Sequence, residues 1–160
     1  MLEQNAPAIS LYEDLGYERL RGLSVWTLEA PPDASPAESA AFVPDPSAPW
    51  AEAPWQRDVR TAIRMQEAGT ELFAASTGSG DGVGRAVFGS GSGSGSGSWP
   101  LLAFEPGSVD EGLSLLRAPF AAGASSLFWL NGPAGGIEDQ CLEAAGGRRL
   151  ARQHEMALSL

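Results

Sequence analysis

Few side chains in this sequence have the types and spacing to do chemistry, and most of them stand alone. His154 is the single histidine and lies between Gln153 and Glu155. A base or a metal ligand needs partners at set spacing, which His154 lacks, so it reads as a surface or sheet-edge residue. Cys141 is the single cysteine. It excludes an internal disulfide, fits a reducing compartment, and suits buried packing better than nucleophilic attack. Arg148, Arg149 and Arg152 could gather an anion, although such groups more often balance acids on a solvated face. Asn5 and Tyr12 remain. From the residues alone, Asn5 is an ordinary helix N-cap and Tyr12 lies on an apolar helical stripe.

The elements that must hold these residues are readable. Asn5 opens a helix whose apolar positions Ala8, Leu11, Tyr12 and Leu15 fall at i, i+3, i+4 and i+7. Pro7 is tolerated in its first turn and Gly16 ends it. Leu23 to Leu28 alternates as a strand. From Ala30 to Pro54 seven prolines interrupt any regular structure, so residues 30–54 read as a semi-rigid linker. Its Phe42, Val43, Trp50 and Trp55 would dock it on a domain surface.

Beyond the linker the pattern gives a helix near Asp58–Gln66 and strands at Glu71–Ser76 and Val83–Phe88. A Gly-Ser alternation at 89–98 reads as a flexible loop, because it has no apolar area to offset its ordering entropy. Then come a strand at Trp99–Phe104, a helix at Val109–Ala118 that Pro119 ends or kinks, a strand at Ser126–Leu130, a helix at Ile137–Ala145 and a strand from Arg149. The order α-β-β-β-α-β-α-β, with an antiparallel meander leading into βαβ crossovers, predicts a mixed α/β (α+β) sheet with helices on its faces.

Composition narrows the function classes. With 20 acidic against 10 basic residues, all of them arginine, the net charge is −10, and no basic stripe is interleaved with aromatics. Nucleic-acid binding by counterion release is thereby excluded. A negative field would favour a cationic substrate such as an amine, and equally serves solubility. No apolar run reaches membrane-spanning length and the chain opens on Glu3 and Gln4 rather than a signal peptide, so the cytoplasm is expected, without a membrane partner.

The two ends of the chain repeat each other. Helix, Gly16, Leu20 and a strand with Trp26 and Leu28 match helix, Gly146, Leu150 and a strand with Met156 and Leu158, and Glu13 matches Glu143. Asn5 and Asn131 each open their helix, the second after a longer interval. The chain is therefore expected to begin with the last third of one unit (1–29) and to continue, after the linker, with a nearly whole second unit (55–160).

The run Asn5-x-x-Ala8-x-x-Leu11-Tyr12-x-x-Leu15-Gly16-Tyr17, followed by the Trp26/Leu28 strand, resembles the closing motif of the GNAT family of N-acetyltransferases. The order of the later elements resembles the family's mixed, mostly antiparallel sheet, its first strand missing or hidden in the linker. The resemblance implies acetyl-CoA as co-substrate, without a metal, in a gap between two central parallel strands, and a primary amine as acceptor. It implies Asn5 as a cofactor contact and Tyr12 as the general acid that protonates the departing thiolate. A phenol suits that role because it is protonated at neutral pH.

The family's cofactor loop, Arg/Gln-x-x-Gly-x-Gly/Ala, holds pyrophosphate on backbone N–H groups at a helix N-terminus. For the first unit that loop would precede Met1. In the second its place is Glu105-Pro106-Gly107-Ser108-Val109-Asp110-Glu111-Gly112. Here Ser108 and Glu111 form a capping box that satisfies the helix from within, and Asp110 and Glu111 oppose an anion. Each like-charge contact at ~4 Å costs about 4 kcal/mol before screening. Leu142 stands where the first unit has Tyr12. The second unit is thus expected to be a degenerate copy. Two readings follow: an N-acetyltransferase incomplete in this chain, needing a further GNAT segment, or a non-catalytic structural or partner-binding module, with a homodimer as one form.

Overall fold

Asn5 starts the first helix by accepting the Ala8 backbone N–H on its side-chain oxygen at 3.3 Å. The computed structural model describes residues 1–30, 40–41, 59–77, 84–90 and 97–158. α1 (Ala6–Asp14) ends at Leu15, and Gly16 takes φ +88°, a conformation that costs glycine little. The chain then enters β1 (Tyr17–Glu29), much longer than the alternation at Leu23–Leu28 indicates. Its first half pairs with only one neighbour, which leaves Tyr17 to Gly22 without the buried face that produces a readable alternation.

A short strand, β2 (Ala40–Ala41), pairs antiparallel with β3 (Leu72–Ser76) inside the proline-rich stretch, so the sheet's first strand does lie there. The remainder of residues 31–58, with the four aromatic and apolar anchors of the linker, lies outside the described residues. So do Val83, the Asp81-Gly82 turn and most of the Gly-Ser run. Next come α2 (Val59–Glu67), β4 (Arg85–Gly89), β5 (Ser98–Glu105), α3 (Val109–Ala121), β6 (Ser126–Pro133), α4 (Ile137–Ala144) and β7 (Arg148–Leu158). The order expected from the sequence is the order observed. One difference is Pro119, which lies inside α3, buried, rather than ending it. A proline late in a helix removes a single N–H bond, and here burial of Ala118 and Phe120 on either side offsets that loss.

The sheet runs β2-β3-β4-β5-β6-β1-β7. Among the described residues only β5 and β6 are parallel, and the other pairs are antiparallel. The opening strand therefore does not stand apart: it lies between β6 and β7 in the same sheet. Alternation along the strands divides the core. Phe73, Phe88, Trp99, Leu127, Trp129, Trp26 and Leu28 face α3 and α4, which add Leu115, Leu116, Phe120 and Leu142. Leu72, Val87, Leu102 and Ala103 face the other side, with Ala62 and Met65 of α2. Mixed strands with helices on both faces form the expected class.

α3 and α4 pack at very close range. A Cβ added to Gly112 would lie 2.3 Å from Cys141 Sγ, so only glycine allows this crossing.

Candidate cofactor-binding site

The one parallel pair sets the geometry. β5 and β6 pair from Ser98↔Ser126 to Leu101↔Trp129, and there the pairing stops. Both strands continue, β5 on β4 as far as Glu105↔Arg85 and β6 on β1 as far as Pro133↔Leu23. The two strands thus part towards their C-terminal ends, where open α/β sheets hold ligands. Trp129 belongs to the last parallel pair, its ring edge-on to Phe104 at 5.7 Å. Asn131 lies on the β6 side of the gap, 6% exposed, at φ +54°. Its Oδ1 has no hydrogen-bond partner among the described residues. This corrects the expectation that Asn131 opens a helix: the N-cap of α4 is Gly136, and Asn131 belongs to the strand.

The far rim of the gap is the N-terminus of α3. Ser108 Oγ accepts the Glu111 N–H at 3.3 Å, and Glu111 Oε2 accepts the Gly107 N–H at 3.0 Å. Ser108 thus caps the helix as its spacing indicates, whereas Glu111 reaches past the cap to the Gly107 N–H rather than to the Ser108 N–H of a reciprocal box. The Gly107 N–H, at the place where a pyrophosphate would sit, already holds a carboxylate, and a Cβ at Gly107 would meet that carboxylate at 2.5 Å. These residues do not fit the diphosphate of acetyl-CoA.

The residues singled out in the first helix lie elsewhere. Asn5 is exposed and engaged as the N-cap, and Tyr12 is 38% exposed with its ring edge-on to Tyr17 at 5.1 Å. Both belong to α1 and its N-cap, beside β1 and the edge strand β7, apart from the β5–β6 gap, and the structure does not bring them together with Asn131. Cys141 is fully buried, its Sγ 3.8 Å from the Ser108 carbonyl. Burial, and then the charge of Glu138, raise its pKa, which keeps the thiol protonated and unreactive. His154 is half-buried on β7, and its backbone bonds Met1 in both directions at 2.7 and 2.8 Å, the sheet-edge placement its isolation suggested.

Sequence reasoning missed the one buried carboxylate among the described residues. Asp139, 5% exposed in the first turn of α4, accepts Ser24 Oγ at 2.6 Å and Trp26 Nε1 at 2.7 Å on Oδ1, and the Gly135 N–H at 2.9 Å on Oδ2. Arg149 reaches Oδ2 at 3.6 Å and lies over the Trp26 ring at 5.2 Å. The network ties α4 to β1 and β7. Its position in the first helical turn is the only signal the sequence holds, because burial of a lone acid follows from partners far away in the chain. Among the described residues no group of three or more acids, histidines or cysteines is placed to hold a metal, and no helix is long and apolar enough to cross a membrane.

No family model and no curated protein matches the chain. Solved structures do. A GCN5-related N-acetyltransferase from Sphaerobacter thermophilus superposes with TM-score 0.56 at 17% identity, over 98% of this chain and 57% of that one. A second, from Anabaena variabilis, gives TM-score 0.54 at 12% identity, over 92% of this chain and 42% of that one. The fold is GNAT-like, and the chain spans about half the length of these neighbours.

Proposed function

We propose that the chain is the non-catalytic unit of an acetyl-CoA-dependent N-acetyltransferase assembly. Its own sheet has the frame of a cofactor site but not the anion seat. The observation that carries this reading is Glu111, whose carboxylate occupies the α3 N-terminus through the Gly107 N–H at 3.0 Å. A phosphate there would have to displace it and then face Asp110 as well. Leu142, 1% exposed, removes the acid from the helix that borders the chain's own gap. In this reading Tyr12 and Asn5, on the exposed helix α1, serve a site completed by another GNAT-type unit, where Tyr12 would hold a proton for the leaving thiolate.

The experiment is acetyl transfer from acetyl-CoA to a panel of primary amines, followed by mass spectrometry. The isolated chain is expected to give no acetylated product above the uncatalysed background. Product that disappears with Tyr12→Phe in the isolated chain would overturn the reading.

A second reading has one observation in its favour. The buried, unpartnered Oδ1 of Asn131 beside the gap would suit an amide N–H of a bound pantetheine-like arm. On that reading the chain binds acetyl-CoA by its arm alone, without diphosphate contacts, and Asn131→Ala abolishes the binding.

A further inference from the structure

The repeat in the sequence is also a symmetry of the structure. The interval that carries Gly16 to Gly146 carries Leu23 to Gln153, and Leu23 and Gln153 pair directly across β1 and β7. The same interval carries Leu20 to Leu150, and these are the two residues that the pairing skips, one bulge on each strand. The helix ends correspond too: Gly16 at φ +88° donates to Glu13, and Gly146 at φ +82° donates to Glu143. For antiparallel neighbours such a relation is a two-fold axis perpendicular to the sheet. α1–β1 and α4–β7 are thus two halves of one pseudo-symmetric centre.

Their surroundings are not symmetric. On one side Cys141 (0% exposed) and Leu142 (1%) of α4 are covered by α3, and the outer edge of β1 is paired by β6. On the other side their counterparts Leu11 (57%) and Tyr12 (38%) of α1 are bare, as is Leu15 (61%). The outer edge of β7 is paired only where Met1 to Glu3 meet Arg152 to His154. Alternation then points the amides of Met156 and Leu158 outward, and no strand lies on that side of β7 among the described residues.

We infer that the α1 face and the β7 edge form a docking surface for a second GNAT-type unit, which supplies a strand like β6 along β7, in line with Met1–Glu3, and a helix like α3 on Leu11, Tyr12 and Leu15. The inference rests on the proposed function, for it names the unit whose site Tyr12 would enter. The molecule itself shows what covers such a surface, since β6 and α3 cover its symmetric counterpart. A second copy of this chain does not qualify, because its β6 is already paired by its own β1. The fold neighbours are longer, this chain spanning 57% and 42% of them, which leaves room for such a unit.

The test joins a copy of residues 40–130 directly ahead of Met1 of the full chain and follows hydrogen exchange by mass spectrometry. Exchange at Met156 and Leu158 is expected to slow at least tenfold relative to the unextended chain, together with protection of α1. Leu11→Glu with Leu15→Glu is expected to restore fast exchange in the extended polypeptide while leaving the melting temperature of the unextended chain unchanged. Unchanged exchange in the extended polypeptide, whether or not the added unit folds, overturns the inference. So does protection of the same amides in a dimer of the unextended chain, which would make the occupant a second copy. Exchange is read without acetyl-CoA, so failure here and failure of the proposed function are separate results.

Discussion

At the scale of single residues, the side chains that matter most are those that satisfy backbone and carboxylate groups rather than those that looked reactive. Asp139 is the clearest. Its two oxygens take Ser24, Trp26 and the Gly135 N–H, with Arg149 behind. Asp139→Ala would leave these donors unpaired and is expected to cost about 3–5 kcal/mol in urea unfolding, and Ser24→Ala about 1–2 kcal/mol. A loss below ~1 kcal/mol for Asp139→Ala would contradict the network. Cys141 gives a prediction in pH. Its folded pKa is raised by burial and by Glu138, so the folded state holds the thiol proton more tightly than the unfolded chain. Stability is full below the ordinary thiol range and falls as pH rises through it, from about 8.5 upward. Cys141→Ala is expected to lack that slope in melts between pH 7 and 10, and an identical slope in both proteins would assign it to other groups.

Among elements, the α3 cap and the α3–α4 crossing carry testable energies. Glu111→Ala removes the acceptor of the Gly107 N–H and is expected to lower stability by about 1 kcal/mol, read from thermal unfolding. Gly112→Ala drives a Cβ to 2.3 Å from Cys141 Sγ and is expected to cost ~1–3 kcal/mol, with Cys141→Gly in the same chain restoring part of it. No restoration would mean that the crossing is not limited by that contact. The elements were legible in the sequence wherever a buried face gave a strict period. Val109 to Ala118, Ile137 to Ala145 and the Ser108 cap are local patterns and are observed, although the first helix runs on through Pro119 to Ala121 and Glu111 bonds the Gly107 N–H. The first half of β1 escaped because it borders solvent and a single strand, so its residues obey no alternation. Asn131 is not a helix cap as its match to Asn5 predicts, because the longer interval before Gly146 lets the strand run on to Pro133 and α4 start after Gly136. The unpartnered Oδ1 of Asn131 and the buried Asp139 depend on contacts across the chain, which no local pattern encodes.

At the scale of the whole molecule, the two ends that repeat each other in sequence meet in one sheet: β1 and β7 lie side by side about an axis at Leu23 and Gln153. That placement makes the N-terminal helix and strand one half of a pseudo-symmetric pair near the sheet's edge, with the other flank completed by β6 and α3. The apolar residues of α1 read as a core stripe in the sequence, and periodicity alone cannot tell whether the layer above them is supplied by this chain. Leu11 and Leu15, 57% and 61% exposed, answer that it is not among the described residues. The GNAT-like fold and the carboxylate at the α3 N-terminus are the two features on which the proposed non-catalytic role rests. The most direct test is a calorimetric titration of acetyl-CoA into the purified chain. The account expects no binding heat up to millimolar cofactor. Micromolar binding that survives Tyr12→Phe and is lost in Asn131→Ala would contradict it, and would assign acetyl-CoA to the chain's own gap between β5 and β6.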